Sequence, residues 1–382
     1  MSEALSLGVR VADRRRRPIE PPAYAALDLG TNNCRLLIAT PTPGGFRVVE
    51  AYSRIVRLGE GLSHTGQLSE AAMARSMAAL KVCAEKIRRR RAVRVRAIAT
   101  QACRGAGNGP DFVRRVAHET GLNLQIISPE EEARLSVAGC VSLLDRDCDA
   151  ALVMDVGGGS TELSWVDLRR DESEEGQCGL DSPPRQFAAA RLPIRAWLSA
   201  PVGMVTLAER YPENLANHQG WFRSMVEDMK ARIQAFDKAE AMREVFTNGK
   251  VHLVGTSGAV TSLAGLHLNL QRYDRDLVDG MWLSRGECDA SIEKLLGLSV
   301  AQRAAQPCIG ADRADLILAG AAILQAVQET WPCERVRVAD RGLREGLLMS
   351  LMASPTRRRR RGGRRTRPRG PAQGQPPKGN LK

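Results

Sequence analysis

The sequence is poor in several residue types, and each shortage excludes a class of protein. Aromatic residues make up only 4% of the 382 residues, so aliphatic side chains and alanine must fill the core. No run approaches the roughly 18 consecutive apolar residues that a membrane-spanning helix needs. The N-terminus also lacks the charged-then-apolar pattern of a secretory leader. We therefore expect a cytoplasmic protein with no membrane association.

Cysteine and histidine lack the patterns of disulfide and metal sites. The nine cysteines are odd in number, scattered and without a C-x-x-C pair, which argues against a disulfide framework and a zinc site. The five histidines show no ligand spacing. We expect reduced thiols, and neither Cys34 nor Cys103 has the paired histidine expected of a nucleophilic cysteine.

The formal net charge of +13 is concentrated at one end of the chain. Residues 356–382 contain eleven Lys or Arg and no acid, which leaves 45 basic against 43 acidic residues, or +2, for residues 1–355. This Arg-rich tail cannot bury a core, so we expect residues 355–382 to be disordered. Its charge density fits binding of RNA or another polyanion. A solubilising role explains it equally well.

The most informative feature is an internal repeat. An apolar strand followed by Asp, one apolar residue, Gly and a small polar turn occurs at AALDLGTNN (25–33) and again at ALVMDVGGGS (151–160). A second strand follows each turn. The repeat places Asp28 and Asp155 in equivalent positions and predicts two similarly folded α/β domains with a cleft between them.

Strand and helix patterns alternate through the rest of the chain, as is typical of α/β proteins. Ser69 begins an amphipathic helix pattern, and Pro129 begins another. The expected organisation is a flexible leader (1–20), a first domain (21–130) that the C-terminal helix (343–354) completes, a second domain (131–342) and the tail (355–382).

Three small-residue turns follow strands, at DLGTNN (28–33), DVGGGST (155–161) and GTSGAV (255–260). Glycine lets the backbone approach an anion closely, and successive N–H groups in such turns form concave phosphate sites. One such turn is weak evidence, but three of them indicate phosphate binding. Asp28 and Asp155 would then face each other across the cleft and hold a hydrated Mg²⁺. Alternatively, each carboxylate only hydrogen-bonds its own turn.

Six sequence blocks now carry a resemblance. DLGTNNCRLLI, ATQACRGAGN, IISPEEEARL, DVGGGSTEL, VGTSGAVTSLAG and DRGLREG occur in this order over residues 24–350. In this respect the chain resembles the exopolyphosphatase / guanosine pentaphosphate phosphatase (Ppx/GppA) family, in its short two-domain type. The ATQACR and EEEARL blocks make the resemblance specific, because the wider superfamily of actin, hexokinase and chaperone ATPases lacks them.

The resemblance implies a fold of two duplicated ribonuclease-H-like domains of the actin-like superfamily, with an interlobe cleft. It also implies Mg²⁺-dependent hydrolysis of terminal phosphoanhydrides. Glu132 corresponds to the family's catalytic glutamate, and Asp155 and Glu162 to acidic partners of the phosphate loop, to which the repeat adds Asp28 as a metal ligand. The expected phosphate-binding residues are Gly157, Gly158, Gly159, Ser160, Arg35, Arg104 and Arg313 from the resemblance, and Thr31, Asn32, Gly255 and Ser257 from the other two turns.

The chemistry of phosphoanhydride cleavage agrees with these assignments. The reaction needs an oriented water, a base and positive charge near the transferred phosphoryl group. Glu132 ends an acidic run (130–132) at a helix start, where the helix dipole favours acids without any function, and we accept that explanation for Glu130 and Glu131. The position of Arg313 at a helix start beside Asp312 and Asp315 gives it a structural explanation as well.

The sequence therefore predicts a hydrolase that releases terminal orthophosphate from inorganic polyphosphate, with guanosine pentaphosphate as the second candidate substrate. Two alternatives stay open. One is a non-catalytic sensor of guanosine tetraphosphate or pentaphosphate, and the other is an actin-like or sugar-kinase ATPase, which the ATQACR and EEEARL blocks disfavour. Two-lobed proteins of this size often form homodimers, but no sequence feature specifies an interface.

Overall fold

The strands of this chain form two mixed sheets. A computed structural model describes residues 21–169 and 194–353; the predicted leader and tail lie outside the described residues. Within them the strands are β1 (Tyr24–Leu29), β2 (Asn33–Thr42), β3 (Gly45–Ile55), β4 (Arg94–Ala99), β5 (Leu124–Ile126), β6 (Ala150–Val156), β7 (Thr161–Asp167), β8 (Ile194–Ala200), β9 (Val251–Thr256), β10 (Trp282–Ser284) and β11 (Arg335–Ala339).

The helices flank these sheets. In the described parts of the chain they are α1 (Leu62–Thr65), α2 (Glu70–Arg89), α3 (Gln101–Gly105), α4 (Gly109–Thr120), α5 (Pro129–Cys140), α6 (Met204–Arg210), α7 (His218–Gln234), α8 (Ala239–Asn248), α9 (Gly258–His267), α10 (Arg275–Val278), α11 (Arg285–Leu296), α12 (Val300–Ala304), α13 (Ile317–Thr330) and α14 (Leu343–Ala353). None of them combines the length and apolar character needed to cross a membrane.

The two sheets share one topology. The first has the order β3-β2-β1-β4-β5, and the second, read from its other edge, has the order β8-β7-β6-β9-β11-β10. In each sheet the first three strands are antiparallel and the next two are parallel to the central one. The repeat predicted from sequence is therefore a repeat of structure, with β10 added at one edge.

The first sheet has a different helical cover on each face. On one face, α2 begins at Ser69, whose side chain accepts a hydrogen bond from the N–H of Ala72, as an N-cap does. Its apolar stripe, including Met77 and Leu80, packs with α3 and α4 over the sheet. On the other face, Leu347 and Leu348 of α14 are fully buried against β1 and β2. This sheet and its helices form the first lobe.

The second lobe packs α7, α9, α11 and α13 on one face of its sheet. Helix α13 is buried almost all round, and this explains its apolar sequence ILAGAAILQAV. The opposite face is covered by α5, whose Val137 and Cys140 pack with β6 and β7. Helix α5 also packs along α14, so these two helices join the lobes. The domain limits themselves stay a prediction.

The cysteines of the described residues are free thiols, and all eight are buried. Strand β8 pairs antiparallel with β7. Residues 170–193, which lie between these two strands in the sequence, are outside the described residues.

Candidate active site

A cavity of about 460 Å³ lies between the two lobes. The turns after β1 and β6, the starts of α9 and α14, and the loop before α13 form its walls. Most of the residues predicted from sequence line it: Asp28, Thr31, Asn32, Arg35, Glu132, Asp155, Gly157, Gly158, Gly159, Ser160, Glu162, Ser257 and Arg313. The fold therefore brings together residues that are up to 285 positions apart in the sequence (Asp28 to Arg313).

The two duplicated turns have matching backbone hydrogen bonds. Gly30 donates its N–H to the carbonyl of Asn33 at 2.9 Å, and Gly157 donates to the carbonyl of Ser160 at the same distance. Within residues 21–169 and 194–353, the N–H groups of Gly158 and Gly159 have no acceptor. Unpaired N–H groups at a turn that borders a cavity are suited to bind phosphate oxygens.

The second-lobe turn is pressed against the first-lobe turn, which requires glycine. A Cβ on Gly158 would lie 3.1 Å from the backbone nitrogen of Asn32, and a Cβ on Gly159 would lie 2.8 Å from Oγ1 of Thr31. A side chain at Gly159 would therefore force a local shift between the two turns, and one at Gly158 would make a tight contact.

Among the carboxylates that border the cavity, burial raises the pKa of four, which come from both lobes. The pKa of Asp28 is about 6, because burial outweighs the opposing charges of Arg35 and Arg344. Its Oδ1 is buried and has no hydrogen-bond partner among the described residues. Asp155 differs, since Oγ of Ser136 donates a 2.5 Å hydrogen bond to it. This bond partly offsets the upward shift that burial gives the pKa of Asp155.

The other two carboxylates are glutamates. Burial and the nearby Asp155 raise the pKa of Glu162 to about 7, although Ser199 donates a 3.0 Å hydrogen bond to it. Burial, followed by the charge of Glu162, raises the pKa of Glu132 well above its ordinary value, while Arg104 opposes the shift. Glu132 is only 7% exposed. A buried carboxyl with a raised pKa can accept a proton near neutral pH.

Positive charge reaches the cavity from arginines. Arg35 and Arg313 line it, and across the described residues neither guanidinium forms a hydrogen bond or an ion pair. Arg313 lies beside the third turn, where a Cβ on Gly258 would be 3.4 Å from the guanidinium carbon. Arginine side chains of this kind bind phosphate oxygens through two parallel hydrogen bonds.

Two of the predicted phosphate-binding residues lie elsewhere. Gly255 is inside β9 and does not line the cavity; its missing Cβ makes room for Val260. Arg104 is next to the cavity, but its guanidinium donates to Oε2 of Glu132 at 3.1 Å and to the carbonyl of Ile127 at 2.7 Å. Arg104 therefore fixes the position of Glu132 in this structure.

Several lining residues are not among those the sequence indicated. They include Gln101, Thr256, Asp340, Arg341 and Arg344. The last three belong to DRGLREG, which the sequence analysis used only as a block of resemblance. The resemblance of this block to the family was the only sequence signal for these residues. It did not single out Arg344, because one arginine at the start of a helix is not a binding motif.

The carboxylates can be tested for a fit to Mg²⁺. In the described part of the chain, no group of three or more His, Cys, Asp or Glu side chains could hold a metal ion. Mg²⁺, however, usually keeps several waters and binds through one or two carboxylates and the phosphates of a substrate. The unpartnered Oδ1 of buried Asp28 is a donor of that kind. The residues therefore fit a hydrated ion carried with phosphate.

Two lobes of one topology, with unpaired backbone N–H groups and carboxylates between them in the described chain, are compatible with phosphoryl chemistry. A comparison with known families agrees: the model of the Ppx/GppA phosphatase family matches residues 37–355. The chain belongs to this family. Its class is thus a hydrolase acting on phosphoanhydrides, as the sequence predicted, and the predicted fold is confirmed.

Individual relatives extend this result. Exopolyphosphatase 2 of Mycobacterium tuberculosis is 30% identical over 341 residues, which cover 86% of this chain and 98% of that protein. The guanosine-5'-triphosphate,3'-diphosphate pyrophosphatase of Photobacterium profundum is 31% identical over 348 residues, which cover 88% of this chain but 61% of the relative. The crystal structure of the Aquifex aeolicus family member superposes with a TM-score of 0.68 at 27% identity, covering 87% of this chain and 97% of that one.

Proposed function

We propose that this protein is an exopolyphosphatase, which releases terminal orthophosphate from inorganic polyphosphate. The observation that carries the proposal is the composition of the interlobe cavity. It combines backbone N–H groups and guanidinium groups that have no partner in the described part of the chain with a buried carboxyl that has a raised pKa. Anion binding and proton abstraction therefore occur in one enclosed space, as phosphoanhydride hydrolysis requires.

In the proposed mechanism, the N–H groups of Gly158 and Gly159 and the guanidinium of Arg35 bind oxygens of the terminal phosphate. Glu132 accepts a proton from the attacking water, and Arg104 holds the carboxylate in place for that step. One or two of the predicted ligands Asp28, Asp155 and Glu162 would hold a hydrated Mg²⁺, which would neutralise charge on the phosphate oxygens when bound. The bond between the terminal phosphorus and its bridging oxygen breaks, and orthophosphate leaves.

Polyphosphate is preferred over guanosine pentaphosphate because of how the relatives align. The chain spans almost the whole of a relative named exopolyphosphatase, but only about three fifths of the relatives named for the guanosine substrate. Guanosine pentaphosphate remains the second candidate substrate. A non-catalytic sensor of guanosine tetraphosphate or pentaphosphate would use the same cavity without Glu132 as a base.

Phosphate release from long-chain polyphosphate and from guanosine pentaphosphate, with Mg²⁺, tests the proposal. Glu132→Gln should lower turnover by about 10² to 10⁴-fold on the true substrate, since it removes the base, and should leave substrate binding nearly unchanged. Glu131→Gln is the matched control on the same helix, because Glu131 is half exposed and pairs with Arg96. Release that persists in Glu132→Gln, or no release by the wild type, would contradict the proposal.

The Arg-rich tail and a homodimer are secondary parts of the proposal. We infer that residues 356–382 bind a polyanion, such as RNA or long polyphosphate, on the basis of their charge. Deletion of these residues should abolish salt-sensitive RNA binding and leave hydrolysis of short polyphosphate intact. Light scattering of the full chain decides between a monomer and a dimer.

A further inference from the structure

Arg344 lines the cavity from the start of α14, a part of the chain that the sequence did not connect with phosphate. It is the second residue of the helix and half-buried. Next to it, Glu345 accepts a 2.9 Å hydrogen bond from the N–H of Gly342, which fixes the first turn of the helix. Leu347 and Leu348 are fully buried beneath it. The base of the Arg344 side chain is therefore held rigidly.

The helix that carries Arg344 is locked to the helix that carries Glu132. A Cβ on Gly139 of α5 would collide with the carbonyl of Gly342, and a Cβ on Gly346 of α14 would collide with the carbonyl of Leu135. The two backbones thus touch at two points, and both points require glycine. Arg344 and Glu132 consequently keep a fixed relation to each other.

Arg344 differs from its neighbours in having no hydrogen-bond or ion-pair partner among the described residues. Arg341 forms an ion pair with Asp279, and Arg275 donates to the carbonyl of Asp340 at 2.6 Å. Throughout 21–169 and 194–353, the guanidinium of Arg344 forms no hydrogen bond and no ion pair. An arginine that is fixed at its base and free at its tip is available to bind a ligand.

A second arginine lies close enough for the two charges to interact. Burial, followed by the positive charge of Arg344, lowers the pKa of Arg35. Arg35 also lines the cavity and is likewise free of hydrogen bonds within the described residues. The carboxylates of Asp28 and Asp155 oppose this shift but do not cancel it. Since both guanidinium groups line the cavity without a hydrogen bond or ion pair among the described residues, a phosphate group, with several oxygens available to planar N–H donors, can bind both.

We propose that Arg344 binds a phosphate group of the substrate together with Arg35, as a further phosphate-binding residue of the interlobe cavity. The identity of that substrate rests on the proposed function, whereas the binding of a phosphate group by Arg344 does not. The expected ligand is a tetrahedral phosphate oxyanion, either the terminal group of polyphosphate or free orthophosphate.

Two measurements on the full chain test this assignment. One is KM and kcat on long-chain polyphosphate, and the other is the Kd of orthophosphate by titration calorimetry. Arg344→Ala should raise both KM and that Kd by about tenfold to a hundredfold, as expected for the loss of one charge-assisted contact. Arg344→Lys should recover part of the loss, since it keeps the charge without the planar donors. Arg88→Ala, at the exposed end of α2, removes the same charge far from the cavity and should match the wild type.

An unchanged Kd and KM in Arg344→Ala would overturn the assignment. If Arg344→Ala does not fold, Arg344→Lys and Arg344→Gln replace it, and wild-type phosphate binding in Arg344→Gln would overturn it equally. If the wild type hydrolyses neither substrate, the proposed function fails. The orthophosphate titration then still decides whether Arg344 binds phosphate.

Discussion

The two lobes present the same hairpin to the cavity but with different charges. In the first lobe, Asp28 on β1 stands opposite Arg35 on β2. In the second lobe, Asp155 on β6 stands opposite Glu162 on β7. The register is identical, and so is the hydrogen bond that closes each turn. A duplicated backbone therefore places equivalent positions at the cavity, while the residue opposite each aspartate decides whether the hairpin carries both signs of charge or negative charge alone.

The hairpins also differ in how fully the carboxylate oxygens of their aspartates are hydrogen-bonded. Ser136 of α5 donates to Asp155, whereas Asp28 retains an unpartnered buried oxygen among the described residues. The second lobe thus presents a fixed carboxylate, and the first presents an incompletely satisfied one next to a guanidinium. This difference suits a cation bound across the cleft that needs one more ligand from the first lobe.

The strongest test of the comparison removes the two opposite charges separately. Arg35→Gln should raise KM for polyphosphate by about a hundredfold with a smaller effect on kcat, because it removes a phosphate contact. Glu162→Gln should lower kcat by a similar factor and raise the Mg²⁺ concentration needed for half-maximal rate. Steady-state kinetics over a Mg²⁺ titration separates the two patterns. If both variants changed KM and the Mg²⁺ dependence equally, the different roles expected for Arg35 and Glu162 would be contradicted.

A second test adds a methyl group to each turn. Gly159→Ala should raise KM by about tenfold and lower the free energy of unfolding by about 1–3 kcal/mol, since its Cβ meets Oγ1 of Thr31. Gly30→Ala is the matched control. Its Cβ would be 3.5 Å from the nearest atom, an ordinary contact, so we expect nearly wild-type values. Kinetics and urea unfolding of both variants measure the difference, and a milder effect of Gly159→Ala would contradict it.

The raised pKa values predict a dependence of stability on pH. Ordinary values are 3.8 for Asp28 and 4.5 for Glu162, against about 6 and about 7 in the folded chain. The folded state therefore binds more protons than the unfolded state between about pH 4 and 7, and the free energy of unfolding falls as pH rises through that window.

Replacing one of these carboxyls with its uncharged amide should reduce the fall in the free energy of unfolding at higher pH. Without divalent cations at pH 7.5, Asp28→Asn and Glu162→Gln should each raise the thermal midpoint by about 2–4 °C, with no gain at pH 4. As pH rises, the increase in thermal midpoint should begin at a lower pH for Asp28→Asn than for Glu162→Gln, because the pKa of Asp28 is the lower of the two. Calorimetric melting across this pH range is the measurement, and Glu131→Gln serves as the exposed control. A lower thermal midpoint for these variants at pH 7.5 would contradict the raised pKa values of the two buried carboxyls.

The smallest effects should come from the contacts between the lobes at the rim of the cleft. Arg57 pairs with Asp315 at 3.1 Å, and both side chains are more than a third exposed. Glu209 accepts hydrogen bonds from the N–H of Gly61 at 2.9 Å and from Oγ of Ser63 at 2.7 Å. Arg57→Ala or Glu209→Gln should change the free energy of unfolding by less than about 1 kcal/mol, because exposed pairs are weak. A KM effect as large as that of Gly159→Ala would show that the rim, not the glycine turns, holds the lobes together.

The fold and much of the site were predictable because the repeat is local. Each unit of strand, Asp, Gly and turn carries its own register, so the positions of Asp28 and Asp155 follow from a spacing in the sequence. The helix after Ser69 was equally clear from its N-cap and apolar spacing. Such features depend on neighbours within about ten residues, and single-sequence patterns report on those neighbours.

The remaining features depend on contacts in the folded chain. Gly255 resembles a residue of a phosphate turn, and the structure shows Val260 packed where its Cβ would be. Arg104 resembles a phosphate ligand, and only the folded chain reveals that it pairs with Glu132. Arg344 gave no signal beyond its place in the DRGLREG block, because its position at the cavity depends on how α14 packs against α5 and β1. None of these contacts follows a sequence period.

The packing of α14 against β1 also has a consequence for the order of synthesis. Leu347 and Leu348 complete the apolar face of a sheet whose first strand begins at Tyr24. A ribosome that adds about 5–20 residues per second needs on the order of tens of seconds to cover the distance between them. During that time the nascent first lobe has one bare apolar face, and the cavity lacks Arg344. We therefore expect the first lobe and the cavity to be completed only when α14 emerges, near the end of synthesis.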